Sequence, residues 1–460
     1  MDLRSRIGSG NFYRKVLSIA IPMMVQNGLS NFVNLLDNLM IGRVGTNAIS
    51  GVAIANQLLF VFYLIIFGAT AGVGIFTAQF YGKGDIKGVR DSFRFKIVAN
   101  TILASVCILL FAFFSPVLIG LFLQGEGSAE DAAGTLDIGV SYMRILLIGL
   151  IPIGLTQAYS GTLRDTGYTK VPMMASITAI IINLVGNALL IYGLFGLPAL
   201  GADGAAIATV FSRFVELGVL AVYTGTHSST HTFIVGAFRR FSVPRSLCSQ
   251  FIIKSLPLMC NETLWSMGVT MINQCYSHRS LSAVAAINIE STIWNLMGVS
   301  FLAMGEAVGI IVGQILGTGD IDKAKDHAVK IRDFTVFCGL ICGLLMVSVS
   351  PFFPKLYNVS ADVKTLASTL ILICGIFMPF IAFTHASYFT IRAGGNTLIT
   401  FFFDSCFVWI INVPIAYCLS RYTDTPVYIM LLIIQATEII KCIIGGAMVR
   451  SGIWARNIVQ

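Results

Sequence analysis

Charge is scarce in this chain of 460 residues, where only 11% are Asp, Glu, Lys or Arg, against about 25% in a typical soluble domain. Long solvated polar stretches are also missing, so neither a disordered chain nor a nucleic-acid binder fits the composition. The 10 Cys include no CxxC pair and lie almost entirely inside apolar runs. That spacing argues against a disulfide framework or a zinc site and leaves buried thiols acting as small hydrophobes. There is no GxxxxGK[ST] string, so the chain does not hydrolyse ATP. HExxH, GxSxG and paired catalytic histidines on a helix face are equally missing, so no enzyme activity is expected. What is present is apolar surface: 56% of residues are hydrophobic, with 33 Phe and 44 Gly. A soluble fold has nowhere to hide that much, so the chain is an integral membrane protein.

Unpaired backbone groups in lipid cost too much for anything but helices or closed barrels, and barrel strands would alternate in polarity. The chain instead runs in continuous apolar stretches of about 20 residues or more. They predict twelve transmembrane helices at 13–40, 48–78, 95–122, 137–161, 169–194, 201–224, 250–277, 283–314, 331–354, 364–390, 397–419 and 426–449. The net charge of +8 is then a topology signal. With the amino terminus inside, twenty-two of the 30 Lys and Arg fall on that side. The opposite side has only Arg43, Arg279, Lys355, Lys364 and Arg421, and its 3–4 loop (Glu126, Glu130, Asp131) is acidic. Arg144, Arg213 and Lys441 lie within spans. Both termini are therefore expected on the cytoplasmic face of the cell membrane. The first apolar run lacks a small-residue cleavage site and is read as a retained helix.

An internal repeat organises these spans. Gln79-Phe-Tyr-Gly82-Lys-Gly84-Asp85-Ile86 after the second span matches Gln314-Ile-Leu-Gly317-Thr-Gly319-Asp320-Ile321 after the eighth. Leu163-Arg164-Asp-Thr-Gly167 in the 4–5 loop is answered by Ile391-Arg392-Ala-Gly-Gly395 in the 10–11 loop. Corresponding loops lie on the same side, so the halves are parallel repeats. The expected architecture is all-α: an N-lobe of helices 1–6 (1–224), a cytoplasmic linker (225–249) and a C-lobe of helices 7–12 (250–460), around a central cavity. The linker holds His227 and His231 at i, i+4, which a plain connection explains better than a metal site. Two six-helix lobes suggest a monomeric secondary transporter that rocks its halves and draws on an ion gradient.

Several local strings resemble the multidrug and toxic compound extrusion (MATE) transporters. They are Pro22 followed by Leu36-Asp37-Asn-Leu-Met-Ile-Gly42-Arg-Val-Gly45, the two Gln-x-x-Gly-x-Gly loops, Leu163-Arg-Asp-Thr-Gly167, and Gly204-Ala-Ala-Ile-Ala-Thr209. The resemblance covers essentially the whole chain. It implies secondary active antiport, with drug-like organic cations exported in exchange for Na⁺ or H⁺ by alternating access. Apart from that coupling ion, no cofactor is expected; the partners are small organic cations and the bilayer.

Ionisable groups inside the membrane are functional candidates by default. Asp37, with Asn34 one turn away, lies in the outer half of the first helix and matches the functional acid of the family's amino-terminal lobe. Asn183, Asn187 and Thr209 match further positions of that cation site, and oxygen-only ligands suit a hard cation such as Na⁺. The DinF-type pattern has Asp where Asn187 stands, so this site carries one charge fewer. In the other lobe Glu262 matches the acid of the NorM-type pattern, while the helix 10 acid of that pattern is replaced by Ala382, with His385 nearby. Glu290 is a further candidate carboxylate. Trp265 and Trp294, one turn from Glu262 and Glu290, are placed to line an anionic, aromatic cavity for an organic cation. Glu438 and Lys441 are expected to pair on helix 12, and Asp404 has no obvious partner. Two other readings stay open, a lipid-linked oligosaccharide flippase and an exporter of an endogenous metabolite. The flippase would want several basic residues facing the cavity, where only Arg144 and Arg213 lie deep enough.

Overall fold

The computed structural model describes residues 8–123, 129–239 and 241–459. Among these residues there is no strand, and twelve long helices carry the fold. They are α1 (Gly10–Gly42), α2 (Thr46–Lys83), α3 (Ile86–Phe122), α4 (Ala129–Asp165), α5 (Lys170–Tyr192), α6 (Gly201–Thr226), α7 (Arg245–Ser277), α8 (Leu281–Thr318), α9 (Ile321–Val349), α10 (Ala361–Ala393), α11 (Thr397–Tyr422) and α12 (Val427–Ser451). Every expected span has its helix. All but α7 are long and apolar enough to cross a membrane; α7 is diluted by polar residues such as Lys254, Asn261 and Glu262. Arg4, Arg6, Glu126 and Arg240 lie outside the described residues.

The surface of the bundle argues for lipid around it. The most apolar window of any helix, in α3, has mean hydropathy 2.7, yet only 22% of it is buried. Phe113, Phe114 and Val117 stand exposed there, which only a hydrocarbon solvent tolerates.

Helices α3, α4 and α9 begin well before their apolar runs. α3 starts at Ile86 rather than near 95, and α9 at Ile321 rather than near 331. Hydropathy stops at the first charges, but the helices continue as mixed polar turns. At α9 the Asp320 carboxylate accepts the Lys323 N–H at 3.0 Å, satisfying an orphan donor of the first turn. Lys96 lies on the longer α3. Its side chain is fully buried, with Nζ 2.7 Å from Asp165 Oδ2 and 3.4 Å from Thr162 Oγ1.

By packing, the chain divides into two compact units. One comprises Met1–Met24, Ala78–Asp85 and Ile253–Gln460; the other comprises Val25–Thr77 and Ile86–Ile252. In the first, α10 packs on α8, α9 and α12; in the second, α3 packs on α4, and α6 on α4 and α5. The linker belongs to the second unit, and it is docked rather than loose. Arg94 donates from Nε to the Ala237 carbonyl (2.8 Å) and from Nη2 to that of Gly236 (2.7 Å), and Arg90 reaches the carbonyls of Thr232 and Phe233. His231 is buried edge-on against Tyr168, and burial, reinforced by the nearby His227, pushes its pKa below the usual 6.5. His227 instead stacks on Tyr223 at 4.3 Å.

The sequence repeat reappears as a reciprocal contact inside the first unit. A Cβ on Gly82 would overlap the Gln314 carbonyl oxygen, and one on Gly317 would overlap that of Gln79. Each repeat's glycine thus faces the other repeat's glutamine. The second glycines, Gly84 (φ 79°) and Gly319 (φ 85°), take the left-handed conformation that ends α2 and α8. The last described residues strap this junction. Gln79 Nε2 donates to the carbonyls of Ala393 (3.0 Å) and Arg456 (3.2 Å), and its Oε1 accepts the Ile458 N–H at 2.8 Å.

Gly317→Ala is therefore expected to cost more than the about 1–3 kcal/mol of ordinary overpacking, because a backbone rather than a side chain must move. Size-exclusion recovery and Tm in detergent should both fall sharply. Gly120→Ala, whose added methyl meets nothing within 4 Å, should behave as wild type. Equal recovery of the two variants would refute the contact.

Candidate ion and substrate sites

In the second unit α5 and α6 lie side by side, and the i, i+4 spacing of Asn183 and Asn187 puts both amides on one face of α5. Asn187 Nδ2 donates to Asp37 Oδ1 at 2.7 Å and to Asn183 Oδ1 at 3.3 Å. Asn183 Nδ2 donates in turn to Thr209 Oγ1 at 3.1 Å. The four residues singled out in the sequence therefore form one hydrogen-bonded cluster across α1, α5 and α6. Asn187 is 1% exposed, and its Oδ1 finds no donor among the described residues. A buried oxygen left without a partner is costly. Beside a carboxylate and a hydroxyl, it is what an oxygen-seeking cation would satisfy. Asn34 is exposed, with no hydrogen bond among the described residues.

Beyond the cluster lie Arg213 and Arg164, named above, and three residues that the sequence reading passed over, Glu216, Ser176 and Gln26. One turn beyond Thr209 on α6, Arg213 pairs with Glu216 at 2.9 Å. The other Glu216 oxygen accepts from Ser176 Oγ at 2.6 Å, and Ser176 Oγ accepts from Gln26 Nε2 at 2.7 Å. Arg164 Nη2 donates to Gln26 Oε1 at 3.0 Å. Glu216 was findable by the same rule that flags Asp37, since it is an acid inside a predicted span. Its pairing with Arg213 leaves Asp37 as the carboxylate of the Asn183, Asn187 and Thr209 cluster.

The first unit has its own polar cluster. Glu262, half-buried on α7, lies beside Asn261 and Tyr388, with Arg392 the positive charge acting on it. Asn261 Nδ2 donates to Asp404 Oδ2 at 3.2 Å and to Tyr388 Oη at 3.3 Å. Its Oδ1 accepts from Ser405 Oγ at 2.8 Å. Asp404 sits where α11 widens into π-helical turns at Phe402–Cys406 and Val408–Asn412, a distortion often found at functional positions. It is not partnerless: Lys441 Nζ approaches Asp404 Oδ1 to 3.1 Å, closer than the expected partner Glu438 at 3.8 Å. Thr384 Oγ1 donates to Glu438 Oε2 at 3.0 Å.

The remaining candidates lie elsewhere in the same unit. Glu290 is buried beside Cys374 and Tyr276 within the apolar core of α8 and α10. Trp265 is half-buried against that core, and Trp294 packs edge-on against Phe301 at 5.9 Å. His385 also rests against Phe301, at 5.0 Å.

Residues 22–189 and 257–418 match the MatE family model. The chain is 24% identical over 415 residues to a probable multidrug resistance protein NorM of Thermotoga maritima, covering 89% of this chain and 86% of that one. It is 25% identical over 419 residues to the probable multidrug resistance protein YoeA of Bacillus subtilis, covering 89% and 88%. A variant of the Vibrio cholerae MATE transporter VcmN superimposes with a TM-score of 0.85 at 16% identity, over 98% of this chain and 99% of that one.

Proposed function

Because the chain belongs to the MatE family of multidrug transporters, we propose that it is a secondary active antiporter that exports organic cations in exchange for Na⁺ or H⁺ by alternating access. Asp37, Asn183, Asn187 and Thr209 hold the coupling ion. Glu262 takes up the substrate's positive charge or a proton, with Trp265, Trp294, Glu290 and Asn34 as further substrate contacts. The protein sits in the cell membrane as a monomer with both termini cytoplasmic, in an orientation supported by the excess of Lys and Arg on that side.

The observation that carries this reading is the Asp37 cluster, in which a carboxylate, two amides and a hydroxyl meet around the partnerless Asn187 oxygen. Such a donor set suits a monovalent cation or a proton more readily than a bulky organic ligand. A flippase for a lipid-linked oligosaccharide is less well supported, because the charge of Arg213 is already balanced by Glu216.

The reading is tested in cells lacking their own drug pumps. Expression of the chain should lower ethidium accumulation and raise resistance to cationic dyes, and a protonophore or removal of Na⁺ should reverse both. Accumulation equal to that of the empty vector, with the protein in the membrane, would refute multidrug export.

A further inference from the structure

The Lys441 ammonium occupies a site with the chemistry of a cation receptor. Two carboxylates approach it, Asp404 at 3.1 Å and Glu438 at 3.8 Å. Two phenyl rings of α11 flank it, with centroids 5.6 Å (Phe403) and 5.5 Å (Phe407) from Nζ. Acid plus ring faces is how proteins hold organic ammonium ions. The lysine side chain is only 7% exposed, so this cage is filled and closed. The local sequence builds it in three ways. The π-helical turn at Phe402–Cys406 carries Asp404 beside Phe403. Gly445, one turn after Lys441, leaves room for the Phe403 ring, whose tip lies 3.0 Å from where a Cβ would stand. Thr384 and Asn261 hold the far oxygens of the two carboxylates.

Charge counting gives the cage a consequence. The cluster holds two cations, Lys441 and, beside Glu262, Arg392, and three carboxylates, Asp404, Glu438 and Glu262, with the imidazole of His385 near Asp404 and Lys441 counted as neutral. Two cations against three acids leave one negative charge in a membrane-embedded cluster, where an unbalanced charge is expensive. One further positive charge makes the cluster neutral. Without Lys441 the same cluster would call for two.

We propose that Lys441 is the tethered occupant of an ammonium cage on α11 and α12, and that it sets at one the number of positive charges this unit exchanges in a cycle. The first half stands on the geometry alone; the second rests on the transport reading.

Lys441→Ala removes three carbons and the ammonium, the fragment that n-propylammonium replaces. In detergent, n-propylammonium chloride should raise the Tm of purified Lys441→Ala saturably, by about 1–2 °C at roughly ten times its dissociation constant. Neutral n-propanol should not do so. Wild type, and Lys441→Met in which the methionine fills the space, should show no such response. An equal response in all three proteins, or none in Lys441→Ala, overturns the cage.

Lys441→Met preserves the volume and so keeps the second half testable even where the alanine variant fails to fold. In proteoliposomes, the coupling charge moved per exported monovalent dye, read from the reversal potential, should rise by one relative to wild type. Unchanged stoichiometry overturns the charge-setting role. Failure of wild type to move dye under any gradient would strike the transport reading instead, leaving the propylammonium titration to decide the cage.

Discussion

Asp37→Asn should reduce export to less than a tenth of wild type while leaving protein abundance and Tm unchanged. Among the four residues of the ion cluster only Asp37 is ionisable, and the nearby Glu216 is bound to Arg213. A hydrogen bond or ion contact to a charged group is worth about 1.5–3 kcal/mol, and each about 1.4 kcal/mol is tenfold in affinity. Replacing the carboxylate by an amide therefore weakens a coupling cation by at least about tenfold, and removes a proton site altogether. Asparagine keeps the size of the side chain and an oxygen for the Asn187 amide, so the bundle should fold normally. Ethidium efflux, normalised to size-exclusion yield, measures both quantities. Adding Asn187→Asp to the Asp37→Asn variant puts a carboxylate back into the same cluster and should restore part of the activity. Full efflux by Asp37→Asn would remove the cluster from the mechanism.

Glu262→Gln should produce a loss of similar size for a different reason. In its unit, Asp404 already holds Lys441 on one oxygen and Asn261 on the other, and Glu438 holds Thr384 and faces Lys441. Glu262 is the acid left to exchange its charge with the outside, and with glutamine there the unit gains no attraction for an incoming cation. We expect the efflux rate of a monovalent dye below saturation to fall at least about tenfold, the equivalent of one charged interaction. Glu438→Gln takes the same single charge from the cluster and should lower the rate similarly, whereas Glu438→Asp, which keeps the charge, should change it far less. The comparison is made on initial rates at dye well below saturation. Equal losses in Glu262→Gln and Glu438→Asp would show that the whole cluster is structural.

Much of this molecule was legible in its sequence, and the limits have physical causes. Helix positions followed from apolar runs because lipid leaves a spanning segment no other backbone solution. The Gln-x-x-Gly-x-Gly repeat announced a real constraint, since Gly82 and Gly317 are each pressed against the other repeat's backbone. Asp37, Asn183, Asn187 and Thr209, singled out through a family resemblance, meet in one cluster. What stayed hidden are pairings across helices. The ion pair of Lys96 with Asp165, 69 residues away, is invisible to hydropathy, which sees only neighbours in sequence. Lys441 was matched to Glu438, three residues before it on the same helix, although Asp404 on α11 lies closer. The i, i+3 rule weighs only contacts within one helix, and the π-helical turn that brings Asp404 across leaves no mark in composition.

The coupling claim is tested most directly by one measurement, the efflux of a fluorescent organic cation from proteoliposomes under an imposed Na⁺ gradient and, separately, an imposed pH gradient. An inward gradient of one of the two ions should drive dye out in wild type, and that stimulation should vanish in Asp37→Asn. Dye movement indifferent to both gradients, or equally stimulated in wild type and Asp37→Asn, would contradict ion-coupled antiport through the Asp37 cluster.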